Sequence, residues 1–374
     1  MKGCAIVCEY NPFHNGHKYQ IEKIKSETNS PVVCVMSGNF TQRAEYAAFD
    51  KKFRANTALK NGADIVLELP FPFSCASAEI FAFSAVYIIE NTGLCDSICF
   101  GAETPDAEKL DKLSDFLLSR DTTCEILKIQ KDCKNLSFAK IRSSLIKQKM
   151  GEEFENIISK PNNILALEYL RAIKKLNSKI RPLPIGRVGA GHSAKPCGSF
   201  CSSSYLRENP TIGNFSKYTP SSGDVLKNAV AIDERLLFAA YSSFFIKAKP
   251  EDMRTCAEIQ NGMEYRIKKA SLESGTLADF YGYLSGKHLT SAKIRRAVLY
   301  SFFDIKTGAL KEVPKSCMLL GCTDSGARLL KETKDKRAIP ILSKYSDIEK
   351  YPFAKEQFYK NDIAEKVFQK FIAK

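Results

Sequence analysis

The sequence contains no apolar run approaching the roughly 20 residues that are needed to span a bilayer. Its first residues, MKGCAIVCEYNPFH, carry one lysine and only a very short apolar run, so they indicate a first β-strand and not a signal peptide. Together these two absences favour a cytoplasmic protein. At 374 residues the chain exceeds a typical single domain, and two domains are expected.

Although the chain has 13 cysteines, no two of them have the C-x-x-C spacing of a zinc ribbon or a redox pair. Three pairs are spaced C-x-x-x-C instead. Most of the cysteines lie in apolar surroundings, where a free thiol behaves as a small hydrophobic side chain. We therefore expect reduced, structural thiols.

Basic residues outnumber acidic ones, 56 to 42, which gives a formal charge of +14. This excess favours a polyanionic partner or substrate, although solubility alone would also account for it. The basic residues are spread along the chain without a polybasic tail, so a folded basic surface is expected and not an unstructured arm.

Strand and helix patterns alternate over the first two hundred residues. The apolar runs CAIVCEY, PVVCVMSG, ADIVLELP and CDSICFG predict strands, and helical spacing follows each of the first three. This alternation predicts an α/β fold with a parallel sheet and helices on both faces. Ligands bind such sheets at the carboxyl ends of the strands, so His14, Ser37-Gly38 and Gly101, which each follow a predicted strand, could line one cleft.

Beyond a turn-rich segment at about residues 210–224, the pattern is mainly helical. VLKNAVAIDERLLFAAYSSFF, SAKIRRAVLYSFFDI and AEKVFQKFIAK predict helices, and one strand-helix-strand stretch, CMLLGCTDSGARLLKET…AIPILSK, interrupts them. We therefore predict a catalytic α/β domain over residues 1–215 and a mainly helical domain over residues 216–374.

Two of the four histidines, His14 and His17, flank Gly16 directly after the first predicted strand. A loop that turns into a helix presents free N–H groups and a dipole that favour an anion, and imidazoles there can donate to phosphate oxygens. Gly16 would leave room for a phosphate or base. Attack at the α-phosphate of a nucleotide requires mainly such positioned donors. A phosphate site is favoured over a structural pair because strand, loop, H-x-G-H and helix occur in that order. It is favoured over zinc because H-x-x-H lacks the i,i+4 spacing of a helical metal site.

NPFHNGH resembles the H-x-G-H element of the nucleotidyltransferase superfamily, whose Rossmann-like fold is shared with class I aminoacyl-tRNA synthetases. That superfamily has a second element, Ser-x-x-x-Ile-Arg, which SSSYLRE at residues 202–208 fits, with Leu206 for isoleucine and Arg207 as the basic member. FAKIRSS around Arg142 and TSAKIRR around Arg295 are alternatives. Both lie within longer amphipathic helices, where arginine is more often a surface residue.

Seven segments, in order, resemble the tRNA(Met) cytidine acetate ligases: EYNPFHNGHKYQI, MSGNFTQRAE, DIVLELPFPFSCASAEIFA, FGAE, PNNILALEYLRAI, RVGAGH and MLLGCTDSGARLL. The resemblance implies that acetate attacks the α-phosphate of ATP, and that the resulting acetyl-adenylate acetylates N4 of the wobble cytidine of elongator tRNA(Met). ATP and acetate would be substrates, and Mg²⁺ would accompany the triphosphate. The C-terminal helices would dock the tRNA, and no membrane or protein partner is expected.

The same resemblance implies the site residues. His14 and His17 would bind the phosphates and stabilise the transition state, and Arg207, the third catalytic residue, would hold the departing β- and γ-phosphates with Ser202 and Ser204. Asn162 would bind ATP, unless it caps a helix or Asn163 replaces it. The full implied ATP-binding set comprises Val7, Cys8, Glu9, Tyr10, Asn11, Pro12, Phe13, His14, Asn15, Gly16, His17, Lys18, Tyr19, Gln20, Gly101, Asn162, Arg187, Ser202 and Ser204.

One departure from the family pattern is Ala44, which stands where glycine is usual and would strain the turn if its φ were positive. Nearby, Arg43, Lys51 and Arg54 could contact phosphate or tRNA, or could lie on a solvated helix face. Two other functions stay open: a small-molecule adenylyltransferase, and a non-catalytic RNA-binding protein on the same fold.

Overall fold

The computed structural model describes residues 2–133, 137–187, 196–220, 227, 229–230, 232–286 and 289–372. Residues 188–192 of the RVGAGH segment lie outside the described residues, as do residues 221–224 of the predicted turn-rich boundary.

Seven strands form one sheet in the order β5-β4-β1-β2-β3-β6-β7. The five strands from β5 to β3 are parallel neighbours, and β6 pairs antiparallel with β3. The predicted α/β fold with a mostly parallel sheet is therefore confirmed. The strands are β1 (Gly3–Cys8), β2 (Val32–Ser37), β3 (Ile65–Leu69), β4 (Cys95–Ala102), β5 (Arg181–Gly186), β6 (Cys317–Cys322) and β7 (Ile341–Leu342).

Seventeen α-helices lie within the described ranges. They are α1 (Asn15–Thr28), α2 (Lys51–Lys60), α3 (Ala78–Thr92), α4 (Ala107–Leu118), α5 (Arg120–Asp132), α6 (Phe138–Met150), α7 (Glu152–Ile158), α8 (Pro161–Lys175), α9 (Ser203–Glu208), α10 (Ile212–Tyr218), α11 (Glu234–Lys247), α12 (Pro250–Met253), α13 (Met263–Glu273), α14 (Leu277–Leu284), α15 (Ser291–Phe302), α16 (Asp324–Glu332) and α17 (Lys355–Lys370).

The central strands are continuous apolar runs because helices cover both faces of the sheet. On one face, α3, α4 and α8 contribute to a core that includes Phe81, Leu110 and Leu170. On the other face, α1 and α2 close a smaller core through Ile21 and Ala58. The prediction of helices on both faces is confirmed, and the carboxyl ends of the strands stay open for a site.

The C-terminal helices build a core of their own, in which α11, α13, α14 and α15 contribute Phe245, Ile267 and Phe280. The predicted first helix of this region begins later than expected, at Glu234, because Asp233 caps it through two backbone N–H groups. The predicted strand-helix-strand stretch forms β6, α16 and β7, which extend the sheet of the N-terminal half. The division of the chain at residue 215 stays a prediction.

All thirteen cysteines are free, and most are buried. This burial agrees with structural thiols, and their reduced state stays a prediction. In the part of the chain that the structure describes, no helix has the length and apolar content that crossing a membrane requires.

Candidate active site

A cavity of about 600 Å³ opens at the carboxyl ends of β1, β4 and β5. The chain runs from β1 to β2 and β3 on one side and then returns to place β4 on the other side of β1. This reversal creates a crevice beside the end of β1, where ligands of open α/β sheets bind. The cavity is lined by most of the implied set: Val7, Cys8, Glu9, Tyr10, Asn11, His14, Gly16, His17, Tyr19, Gln20, Gly101, Asn162, Arg187, Ser202, Ser204 and Arg207.

Four residues of the implied ATP-binding segment are not part of this lining. Phe13 is buried in the core beside α1, and the carbonyl of Pro12 accepts a hydrogen bond from Ser203. The Asn15 amide donates to two backbone carbonyls of other segments, and Lys18 pairs with Glu22 on the helix surface. Their part in ATP binding stays a prediction.

The two histidines form a reciprocal cap at the start of α1. Nδ1 of His14 accepts a hydrogen bond from the Gly16 N–H at 3.1 Å, and Nδ1 of His17 accepts one from the His14 N–H at 3.2 Å. The imidazole rings stack, with centroids 3.7 Å apart and planes inclined by 15°. Both Nδ1 atoms act as acceptors, so each neutral ring carries its proton on Nε2. The cap therefore fixes two Nε2–H donors in one tautomer.

Both rings stay neutral at physiological pH. Burial, together with the positive charge of Arg187, lowers the pKa of His14 to about 3. Burial also lowers the pKa of His17 well below its usual value, with smaller contributions from His14 and Arg187. Neutral Nε2–H groups can donate hydrogen bonds to an anion, and the protein avoids the cost of burying charged imidazolium groups.

Gly16 makes room for the histidine cap, and its predicted second role, leaving room for a ligand, stays a prediction. A Cβ atom at Gly16 would lie 3.0 Å from Cε1 and 3.1 Å from Nδ1 of His14, inside ordinary contact distance. The space is therefore occupied by the imidazole ring. The expectation of several free backbone N–H groups at this helix start is wrong, because the Gly16 N–H bonds to His14 Nδ1 and the N–H groups of His17 and Lys18 to the His14 carbonyl.

Arg207 lies on α9 and lines the same cavity as the histidines. Its guanidinium donates to the Asn11 carbonyl at 2.6 Å and to Ser204 Oγ at 3.4 Å. Ser202 caps α9 by accepting the Tyr205 N–H at 3.1 Å. The hydrogen bond to Asn11 joins the late motif to the loop between β1 and α1, so the two predicted elements meet at one site.

The competing arginines serve other contacts. The Arg142 guanidinium lies 5.8 Å from the Phe138 ring centroid on α6. Arg295 on α15 forms an ion pair with Glu45 at 2.9 Å. Neither lines the cavity, whereas Arg207 does.

A polar network closes the β4–β5 side of the cavity. Asn162 Nδ2 donates to Glu103 at 2.6 Å, and Arg187 donates to Asn162 Oδ1 at 2.8 Å. A Cβ at Gly101 would meet the Arg187 side chain at 3.3 Å, so glycine lets this arginine cross the strand end. Burial lowers the Arg187 pKa, against the opposing charge of Glu103.

Of the two neighbouring asparagines, Asn162 lines the cavity. Asn163 is fully buried, and its amide bonds to the backbone of Glu103, Thr104 and Ile157. The alternative register is therefore wrong. The helix-cap interpretation of Asn162 is also wrong, because the N-cap position of α8 is Lys160 and the Glu103 carboxylate accepts the N–H groups of Asn162 and Asn163.

Sequence reasoning missed one wall of the cavity, although the motif MSGNFTQRAE lies there. This wall consists of Thr41, Gln42, Arg43, Glu45, Ala78 and Phe81, and we call it the 41–81 wall. The Gln42 N–H donates to Glu9 Oε1 at 2.7 Å, which attaches the wall to the end of β1. The φ angle of Ala44 is positive, at 55°, which is the condition under which alanine was expected to strain this turn. Ser37 and Gly38 do not line the cavity, contrary to expectation.

Lys51 and Arg54 are buried, so neither of their predicted roles is correct. Arg54 donates to the carbonyls of Glu9 at 2.6 Å and Ser37 at 3.0 Å, and it also bonds the Gly38 carbonyl. It thereby joins the ends of β1 and β2 behind the cavity. Lys51 forms buried ion pairs with Glu68 at 2.9 Å and with Glu365.

Comparison with known proteins places these features in a family. A profile described as "HIGH Nucleotidyl Transferase" matches residues 1–374. A tRNA(Met) cytidine acetate ligase of Acetivibrio thermocellus is 32% identical, covering 93% of this chain and 89% of that protein. One of Caldicellulosiruptor saccharolyticus is 35% identical, covering 90% and 86%.

Solved structures agree with the sequence relatives. The crystal structure of Thermotoga maritima TmcAL bound with alpha-thio ATP matches with a TM-score of 0.88 and 28% identity, covering 100% of this chain and 95% of the other. The apo form of that protein matches with a TM-score of 0.89, 27% identity and coverage of 100% and 96%. The chain therefore belongs to the HIGH nucleotidyl transferases and, among them, to the family of tRNA(Met) cytidine acetate ligases.

Proposed function

We propose that this protein is an ATP-dependent ligase that forms acetyl-adenylate from acetate and ATP and acetylates N4 of the wobble cytidine of elongator tRNA(Met). The observation that carries the proposal is the stacked His14–His17 pair, held as two Nε2–H donors at the open end of β1 and β4. The names of the sequence relatives and the ATP analogue bound to the structural relative support the same activity. We also assign the protein to the cytoplasm, where ATP and tRNA are found.

In the first step, a carboxylate oxygen of acetate attacks the α-phosphate, and the bond to the bridging oxygen of pyrophosphate breaks. Negative charge then grows on the phosphate oxygens, where fixed donors stabilise the transition state more than the ground state. His14 and His17 supply two such donors without a conformational change. Arg207 holds the departing pyrophosphate together with Ser202 and Ser204, and Arg187 and Asn162 hold the nucleoside side.

Mg²⁺ would accompany ATP in this step. Mg²⁺ is commonly held through substrate phosphates, water and one or two carboxylates, and it neutralises the triphosphate. Among the described residues, no group of three or more His, Cys, Asp or Glu side chains is placed to hold a metal. In this proposal the ion therefore enters the site with the nucleotide.

The large acceptor would dock on the C-terminal helices. The net charge of +14 favours a polyanion such as tRNA. Lysines of α13 and α15, within RIKKA and SAKIRRA, are candidates for phosphate contacts. The wobble base would reach the acetyl-adenylate after leaving its stack.

The test uses acetate-dependent ATP–pyrophosphate exchange in the wild-type protein and in the His17→Ala variant. The variant should fold normally but lose exchange by about 10²–10³-fold, since it lacks one fixed donor. Exchange at the wild-type rate in His17→Ala would contradict the assigned role. Incubation of the wild-type protein with ATP, labelled acetate and bacterial tRNA should give labelled N4-acetylcytidine. Exchange supported only by a phosphorylated metabolite would favour a small-molecule adenylyltransferase instead.

A further inference from the structure

The implied ATP contacts leave one side of the cavity unassigned. These contacts come from the end of β1, the start of α1, β4, α8, β5 and α9. The remaining side is the 41–81 wall, which combines polar side chains with Ala78 and Phe81 from the first turns of α3. An enzyme that uses acetate and tRNA in addition to ATP needs such a second binding region beside the α-phosphate.

Glu9 stands at the junction of the two regions. It follows the last residue of β1 and lines the cavity five positions before His14. One of its carboxylate oxygens accepts the Gln42 N–H at 2.7 Å, so the side chain is held against the 41–81 wall. That hydrogen bond needs only an acceptor oxygen, which an amide would supply equally well. The negative charge of Glu9 is therefore not explained by this contact.

The surroundings of Glu9 keep it a stronger base than an exposed carboxylate. Burial raises its pKa above the usual value, and the charge of Glu45 on the 41–81 wall acts in the same direction. The Gln42 N–H, Arg207 from α9 and Arg54 from α2 oppose this rise. The buried Tyr169 hydroxyl faces it from α8, with its own pKa raised by burial and by the Glu9 charge.

We propose that the 41–81 wall receives the acyl acceptor and that Glu9 is the general base that takes the proton from cytidine N4 during acetyl transfer. This inference rests on the proposed function. N4 attacks the acetyl carbonyl carbon and forms the N–C bond. The bond between that carbon and the phosphate oxygen breaks, and its electron pair leaves with AMP. The proton lost by N4 goes to the Glu9 carboxylate.

Four other titratable groups of the cavity are poorly suited to this step. His14 and His17 use Nδ1 to accept backbone N–H groups, so their Nε2–H groups can only donate. Glu45 forms an ion pair with Arg295 at 2.9 Å. Burial raises the pKa of the Cys201 thiol to about 11, so it is protonated at neutral pH.

The experiment compares Glu9→Gln with the wild-type protein in two assays of the full chain. The first is acetate-dependent ATP–pyrophosphate exchange, which reports adenylate formation alone. The second is single-turnover acetyl transfer to tRNA from preformed acetyl-adenylate, measured from pH 5 to 8. Glutamine keeps the acceptor for the Gln42 N–H but removes the base. Glu27→Gln is the matched control, because it removes an exposed carboxylate of α1 that does not line the cavity.

A general base contributes about 10²–10⁴-fold to a reaction rate. In Glu9→Gln, transfer should therefore fall at least tenfold more than exchange. Wild-type transfer should rise with pH as the base deprotonates and then level off. Glu9→Gln should lose this rise, whereas Glu27→Gln should retain it.

Equal losses of exchange and transfer in Glu9→Gln would overturn the proposal and would favour a role in binding ATP or Mg²⁺. An unchanged pH profile of transfer in Glu9→Gln would overturn it as well. The proposed function fails in a different way, namely if the wild-type protein shows neither acetate-dependent exchange nor acetylation of tRNA. The two failures are therefore distinguishable.

Discussion

Gly16→Ala should separate the stability of this protein from its chemistry. The added Cβ would lie 3.0 Å from Cε1 of the His14 ring, whereas ordinary carbon contacts begin near 3.4 Å. The ring must therefore move by a few tenths of an ångström, away from the Gly16 N–H that holds its Nδ1 at 3.1 Å. Once that hydrogen bond is lost, neither the tautomer nor the direction of the Nε2–H donor is fixed.

The expected effects on stability and on rate differ in size. Alanine is favoured over glycine in a helix by up to about 1 kcal/mol, and the lost hydrogen bond costs about 0.5–1.5 kcal/mol. These two contributions nearly cancel, so the free energy of unfolding should change by less than about 1 kcal/mol. A misplaced donor to transition-state charge costs about 10²-fold in rate. Acetate-dependent ATP–pyrophosphate exchange should fall by that factor.

Gly213→Ala is the matched control. Gly213 is also the second residue of a helix, α10, and a Cβ there would meet no atom within 4 Å. This variant should keep wild-type exchange and gain a few tenths of a kcal/mol in urea unfolding. Wild-type exchange in Gly16→Ala would refute the argument that the glycine serves the histidine cap.

Two further predictions concern stability. Arg54→Met should lower the free energy of unfolding by about 3 kcal/mol or more in urea, since several buried carbonyls lose their donor at about 1–3 kcal/mol each. Arg181→Met, at an exposed ion pair, should change it by less than about 1 kcal/mol, and equal effects would contradict the assigned role of Arg54. Acid should destabilise the fold between pH 6.5 and about 3, because the unfolded state protonates His14 while the folded state keeps it neutral. At pH 5 this loss of unfolding free energy amounts to roughly 2 kcal/mol. In urea unfolding, His14→Asn should lose correspondingly less unfolding free energy between pH 7 and pH 5. An equal loss in both proteins would contradict the neutral, buried state of His14.

Much of the sheet could be predicted because its strands are continuous apolar runs that end at turn-forming residues. The antiparallel placement of β6 beside β3 could not, because Cys317–Cys322 follows Leu69 by more than two hundred residues. Local periodicity does not specify which distant strand pairs with which edge. The strand-helix-strand pattern itself was recognised, but not its place in the sheet.

The candidate site was found from spacing, whereas the purpose of its glycine was not. H-x-G-H identified two imidazoles after a strand, and both line the cavity. Sequence alone could not show that each Nδ1 accepts a backbone N–H, since that depends on the side-chain rotamers at the start of α1. For the same reason, Lys51 and Arg54 looked like surface cations. Their burial depends on carbonyls and carboxylates that come from other segments.

The 41–81 wall connects the chemistry to the C-terminal helices. On the cavity side, the Gln42 N–H binds Glu9. On the opposite side, Arg295 of α15 pairs with Glu45 and donates to the Arg43 carbonyl at 3.1 Å, and Asn39 donates to Glu365 of α17 at 2.8 Å. Helices α15 and α17 thus hold the same segment that faces the proposed acceptor. Those helices belong to the region expected to dock tRNA. A docked tRNA would therefore contact the helices that hold the 41–81 wall, and this wall positions Glu9, the proposed general base, beside the wobble cytidine.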